Sequence, residues 1–168
     1  DEMHRLDHIV QNFLDFSRPH KLRKQIINIS GIMEKTLALL SYRLDLYNIS
    51  VARQQEAEDI YVEADPELIK EVFVNLIVNA CDAMENGGNI VIRIKEMPAE
   101  NIGPAVMVSV TDTGPGISDE MQEKVLKPFE TSKAGGTGLG LFIAVKIIEE
   151  HEGTLSLKSE EGRGATFT

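Results

Sequence analysis

Asn75 and Asn79 lie four residues apart in the run NLIVNACDA, which also carries Asp82 and Ala83. On a helix, positions four apart project from one face. Their neighbours Val72, Leu76, Ile77 and Ala80 are apolar, and amides beside a buried face need partners or a ligand. An amide oxygen is a neutral, hard donor that suits a magnesium ion already shared with phosphates. Two amides at a helix edge would give the same pattern, so this block does not decide the matter alone.

A second block, DTGPG from Asp112 to Gly116, follows the strand-like run VMVSV. Glycines at alternate positions, Gly114 and Gly116, let backbone pass close to a ligand. The acceptor-only carboxylate of Asp112 suits a hydrogen bond from an exocyclic amine such as that of adenine. A plain turn is the alternative, since Asp and Gly are turn formers. The third block, GGTGLGL from Gly135 to Leu141, runs into a helical pattern with Thr137 near its start. Backbone N–H groups and a helix dipole arranged this way receive phosphates. It is not a Walker loop, because no Gly-Lys-Ser/Thr follows, and not a dinucleotide fingerprint, because the preceding PFETSKA is not a strand. The fourth block, GRGATF from Gly162 to Phe167, reads only as a turn into a last strand.

The elements that must hold these blocks follow from periodicity. In residues 1–18, Met3, Leu6, Val10, Phe13 and Ser17 keep the spacing of a bundle seam, widened by Ile9, Leu14 and Phe16. Such a helix is marginal alone and needs a partner helix. Arg18-Pro19 ends it, and residues 20–24 form a linker. Gln25–Ile29 reads as a strand, and Ser30 is placed to cap a helix from about Ile32 to Tyr47. Two short strands follow, Ile49–Arg53 and Ile60–Glu63. Asp65-Pro66-Glu67 opens a strong helix that runs to about Met84 and stops at Asn86-Gly87-Gly88. Asn89–Glu96 and Ala105–Thr111 alternate as a hairpin-like pair of strands. A short helix over 118–127, a long one over Gly138–His151, and strands over Gly153–Ser159 and Ala165–Thr168 complete the chain. The expectation is one α+β layer pair.

The chain has 168 residues, 42% of them hydrophobic and 26% charged, enough for one well-buried core. Its 27 acidic against 17 basic residues give a net charge of -10 with no basic cluster, which argues against a nucleic-acid partner. No apolar run is long enough to span a bilayer. The first residue is Asp1 rather than Met, and we expect a fragment of a longer protein. The lone Cys81, in an apolar helical run, suits a buried side chain in a reducing cytoplasm.

Taken in order, the four blocks resemble the N, G1, G2 and G3 boxes of the sensor histidine kinases, which share a superfamily with gyrase, the Hsp90 chaperones and MutL. Pro128-Phe129-Glu130-Thr131-Ser132-Lys133 resembles the F box. The likeness covers residues 25–168. It implies a two-layer α/β sandwich with a mixed sheet, the Bergerat ATP-binding fold, preceded by one bundle helix. ATP would lie between the Asn79 helix and a lid over about residues 130–138. By the matching boxes, Asp112 would bind the adenine amine, with Gly114, Gly116 and Ile117 beside the base. Asn79 would hold Mg2+, with Asn75, Asp82 and Ala83 nearby, and Thr137, Gly138, Leu139, Gly140 and Leu141 would meet the phosphates. Lys133 is a candidate γ-phosphate contact, being a cation on the lid of an acidic protein. Ala165 stands where many relatives carry Ser or Thr, so Thr166 becomes the candidate for ordering a water beside adenine.

Residues 1–19 resemble the second helix of the kinases' dimerisation domain, which implies a dimerisation partner through the helix of residues 1–18. The family's phosphoacceptor is a histidine followed by an acidic residue and Asn-Pro or Arg-Pro. His4, His8, His20 and His151 do not fit, so the acceptor is expected outside this sequence. Superfamily ATPases carry a general-base Glu one turn before the magnesium Asn. Here that position is Asn75, whose amide cannot take a proton from water. The resemblance therefore implies a histidine kinase that passes phosphate to a response regulator, cytoplasmic in this part whether or not the parent is membrane-anchored. The box spellings lean toward nitrogen-regulation and sporulation kinases. A relay module that has lost ATP, and a superfamily ATPase, are the rival readings.

Overall fold

The computed structural model describes residues 22–55, 59–97, 105–131 and 137–168. The expected helix over 1–18 and Lys133 lie outside the described residues. In chain order the elements are β1 (Gln25–Asn28), α1 (Ile29–Leu39), α2 (Ser41–Leu46), β2 (Ile49–Gln55), β3 (Tyr61–Ala64), α3 (Pro66–Ala83), β4 (Gly88–Met97), β5 (Ala105–Asp112), α4 (Asp119–Gln122), α5 (Gly140–Glu150), β6 (Leu157–Ser159) and β7 (Ala165–Phe167).

β1 and β3 pair antiparallel as a separate two-stranded ribbon, and the other strands form a five-stranded sheet in the order β2-β4-β5-β7-β6. Its pairs are antiparallel except β2 with β4. The sheet is therefore mixed, as a return through β3 and α3 requires of a parallel neighbour. Ile90, Ile92 and Ile94 alternate along β4 and are at most 3% exposed, while Arg93 between them is exposed. One sheet face is thus covered by helices and the other is open.

α3 supplies the cover. Ile69, Val72, Phe73, Leu76, Ile77, Ala80 and Cys81 are buried at helical spacing, and α3 packs against α1 and α5 as well as the sheet. Burying the isoleucine, valine, phenylalanine and leucine side chains among them contributes about 1.5–3 kcal/mol each. Asp65 starts the helix: its Oδ1 accepts from the N–H groups of Glu67 and Leu68, and Pro66 occupies the first turn, where no N–H is missed.

Three local expectations need correction. Asn28, not Ser30, caps α1, its Oδ1 accepting from Gly31 N at 3.2 Å; Ser30 is buried inside the first turn. The single helix expected to Tyr47 is broken at Leu40 into α1 and α2. The Thr36 hydroxyl donates to the Ile32 carbonyl four residues back, a bond that bends helices. The last long helix begins at Gly140 rather than Gly138, because Gly138 holds a φ of +66°.

Candidate functional site

A cavity of about 590 Å³ opens between α3, the end of β5, the segment around α4 and the start of α5. The α3 face opposite the core forms one wall. Asn75, Asn79, Asp82 and Ala83 line it there, followed by Glu85 and Asn86 past the helix end. The Asn75 amide oxygen sits so close to Gly140 that a side chain on that glycine would approach it to 3.1 Å. Asn75 therefore marks the α5 end of the cavity.

Asp112 closes the opposite end. It is 4% exposed, and its Oδ1 accepts from Gly114 N at 2.9 Å and Ala165 N at 3.3 Å. Two backbone donors fix the carboxylate plane, a placement that depends on β7 lying beside β5. Gly116, with φ +73°, could not carry a side chain, since a Cβ would lie 2.2 Å from the Glu160 carbonyl oxygen. The Ser159 hydroxyl accepts from Ile117 N and donates to the Gly164 carbonyl, and the Gln122 amide donates to the Ile117 carbonyl. These bonds tie the loop after Asp112 to the turn before β7. Ile117, Met121 and Val125 then form an apolar wall next to the carboxylate. An apolar wall with one fixed acceptor suits a flat heterocycle bearing an amine.

At the α5 end, Thr137, Gly138, Gly140 and Leu141 line the cavity. The helix has no side-chain cap, so the N–H groups of its first turn are available to an anion. Thr137 Oγ1 accepts from Leu139 N at 3.4 Å, and Phe129 N donates to the Gly138 carbonyl at 3.0 Å. The cavity thus has an apolar slot with an acceptor at one end, anion-receiving backbone at the other, and the side chains of Asn75 and Asn79 along its α3 wall.

A sequence profile described as histidine kinase-, DNA gyrase B- and HSP90-like ATPase matches residues 64–168. The chain belongs to that family. Among relatives of this histidine kinase-like ATPase domain, sporulation kinase E of Bacillus subtilis is 33% identical over 166 residues, covering 99% of this chain and 22% of the relative. Sensor histidine kinase ZraS of Salmonella typhi is 35% identical over 167 residues, covering 99% of this chain and 35% of the relative. The chain spans about a fifth to a third of the length of these curated relatives. The nucleotide-free catalytic domain of histidine kinase ThkA superposes with a TM-score of 0.75 at 35% identity, covering 86% of this chain and 92% of that one. ThkA in complex with the response regulator protein TrrA gives 0.80 at 32% identity, covering 99% of this chain and 46% of that one.

Within this histidine kinase-like ATPase domain, the structure brings Asn75, Asn79, Asp82, Ala83, Asp112, Gly116, Ile117, Thr137, Gly138, Gly140 and Leu141 to one cavity. Leu139 is buried behind it, and Gly114 packs between Asp112 and Ala83. Thr166 does not line it: its hydroxyl lies 3.0 Å from that of Thr111. Alternation along β7 sends Ala165 and Phe167 into the interior and Thr166 to the other sheet face. Sequence reasoning passed over Met121 and Val125, whose four-residue spacing was the available signal. Among the described residues, no helix is long and apolar enough to cross a membrane.

Proposed function

We propose that this chain is the ATP-binding catalytic domain of a sensor histidine kinase, transferring the γ-phosphate of ATP to a histidine and supplying a response-regulator aspartate. The observation that carries the reading is the cavity itself, with the twice-anchored Asp112 at one end and the uncapped start of α5 at the other.

In this reading the adenine amine donates to Asp112 while the ring lies against Ile117, Met121 and Val125. The phosphates run along α3 toward the first-turn N–H groups of α5. Asn79 is on the cavity wall, and because an amide oxygen is a hard, neutral donor that fits Mg2+, Asn79 would hold the ion with Asn75 close by. Bound there, the ion would offset phosphate charge. The residues of the chain would act by positioning and by backbone hydrogen bonds rather than by covalent chemistry. The substituent at position 75 favours a kinase over an ATPase, because its amide cannot take a proton from attacking water. None of His4, His8, His20 and His151 has the sequence context of the family's acceptor. A dimerisation partner through residues 1–18 belongs to the same proposal, and the complex of ThkA with TrrA supports the response regulator as the downstream partner.

Calorimetric titration with Mg-ADP, beside an Asp112→Asn variant, tests it. The expected result is binding by the parent, weakened at least tenfold in the variant. No binding up to millimolar ligand would overturn the reading in favour of a relay module, and steady ATP hydrolysis would favour an ATPase.

A further inference from the structure

The cavity is short of positive charge. Asp82, Glu85, Asp112 and Glu130 line it, and among the described residues no lysine, arginine or histidine does. A polyphosphate brought beside these carboxylates meets like charge, and at a partly buried rim solvent screens that repulsion incompletely.

One cation stands just behind this wall. Arg43 on α2 pairs through its terminal nitrogen with Oδ1 of Asp82 on α3, 39 residues away in sequence. Asp82 lies three positions after Asn79, so both occupy the same edge of the helix. The Arg43 side chain remains 38% exposed. Its Nε is buried without a hydrogen-bond partner among the described residues, and its guanidinium carbon lies 5.8 Å from the Tyr47 ring centroid. The side chain is held from two sides and aimed at one carboxylate. A half-exposed ion pair contributes little to stability. What the pair does change is the charge of the wall beside Asn79.

We propose that Arg43 is a positioning residue for the phosphate end of the nucleotide: by neutralising Asp82 it makes the α3 wall tolerant of a polyanion. This rests on the nucleotide reading above. The inference gives α2, which contributes nothing to the cavity lining, a part in selecting ligands by phosphate number.

The test is the affinity of the chain for AMP, ADP and ATP, each with magnesium, measured by competition against a fluorescent nucleotide. The chain is compared with Arg43→Ala, Asp82→Asn and the double variant. Arg43→Ala is expected to lose tenfold or more for ATP and under threefold for AMP. The double variant recovers to within threefold of the parent, because the uncompensated carboxylate is gone. A loss equal for all three nucleotides, or no recovery in the double variant, overturns the inference and makes Arg43 a structural brace. Should Arg43→Ala fail to fold, Arg43→Gln, which keeps a polar side chain but removes the charge, carries the same expectation. A parent chain that binds none of the three overturns the nucleotide reading itself, and this inference with it. A parent that binds while the variants behave as a brace overturns this inference alone.

Discussion

The backbone N–H of Asp65 donates to Nε2 of His151, 2.9 Å away and 86 residues further along the chain. Because Nε2 accepts, the ring proton sits on Nδ1, which donates to the Ile147 carbonyl at 2.7 Å. The imidazole thereby joins the start of α3 to the end of α5, the two helices that flank the cavity. The Asp65 carboxylate also accepts from Arg23 N at 2.9 Å, so the segment leading into β1 is fastened at the same corner.

Replacing His151 with Ala removes the acceptor from a part-buried N–H. The expected loss is about 1–3 kcal/mol, the cost of leaving such a donor unpaired. Urea unfolding checks it, and a loss of a few tenths would mean that water replaces the ring.

Asp65 makes stability depend on acid pH. Burial pushes its pKa up, but N–H donation from Arg23, Leu68 and Glu67 outweighs this and holds it below the ordinary 3.8. A folded pKa below the unfolded one stabilises the fold fully above 3.8 and loses that contribution as pH falls through the folded value. Asp65→Asn keeps an acceptor and loses the charge. The stability gap between parent and variant should be constant near neutral pH and narrow as pH falls below 3.8 and through the folded value. A gap that persists undiminished there would sink the assignment.

Gly162 and Gly164 offer a matched pair. Both have positive φ, +82° and +88°, yet a Cβ at Gly162 meets nothing within 4 Å while one at Gly164 would lie 2.0 Å from the Asp112 carbonyl oxygen. Gly162→Ala should cost only the left-handed strain, about 1–2 kcal/mol. Gly164→Ala should cost clearly more and weaken nucleotide binding, because relief requires moving Asp112 or β7. Equal thermal shifts for the two would refute the packing argument.

Thr166→Val should leave Mg-ADP affinity within twofold of the parent, since its hydroxyl pairs with Thr111 on the far sheet face. The lost hydroxyl pair should appear in stability, at about 0.5–1.5 kcal/mol. A tenfold loss of affinity would return Thr166 to the site.

The strongest elements were legible because several local signals agreed. In α3, Asp65, Pro66 and Glu67 mark the start, apolar spacing marks the core face, and Gly87-Gly88 mark the stop. The pairing of β4 with β5 followed from their alternation. The break at Leu40 was not legible, since no glycine or proline marks it in the run LALLSYRL. The face chosen by Thr166 depends on register, and one residue of slip would exchange it with Ala165. Ile117, Met121 and Val125 meet Asp112 only through the bonds of Ser159 and Gln122, side chains that look like ordinary surface residues in sequence.

The bond from Phe129 N to the Gly138 carbonyl ties the two ends of the segment 130–137 into a ring. Gly138 admits that approach because a Cβ there would collide with the Phe129 backbone. Once a ring is shut, its closure entropy belongs to the fold and not to the ligand, and it grows only with the logarithm of length, about 0.6 kcal/mol per doubling. The perimeter of this ring can therefore be lengthened or shortened with little strain on the domain that carries it. The bond between Phe129 and Gly138 fixes the two anchors, while Glu130, Thr131 and Thr137 beside them keep their places on the cavity wall.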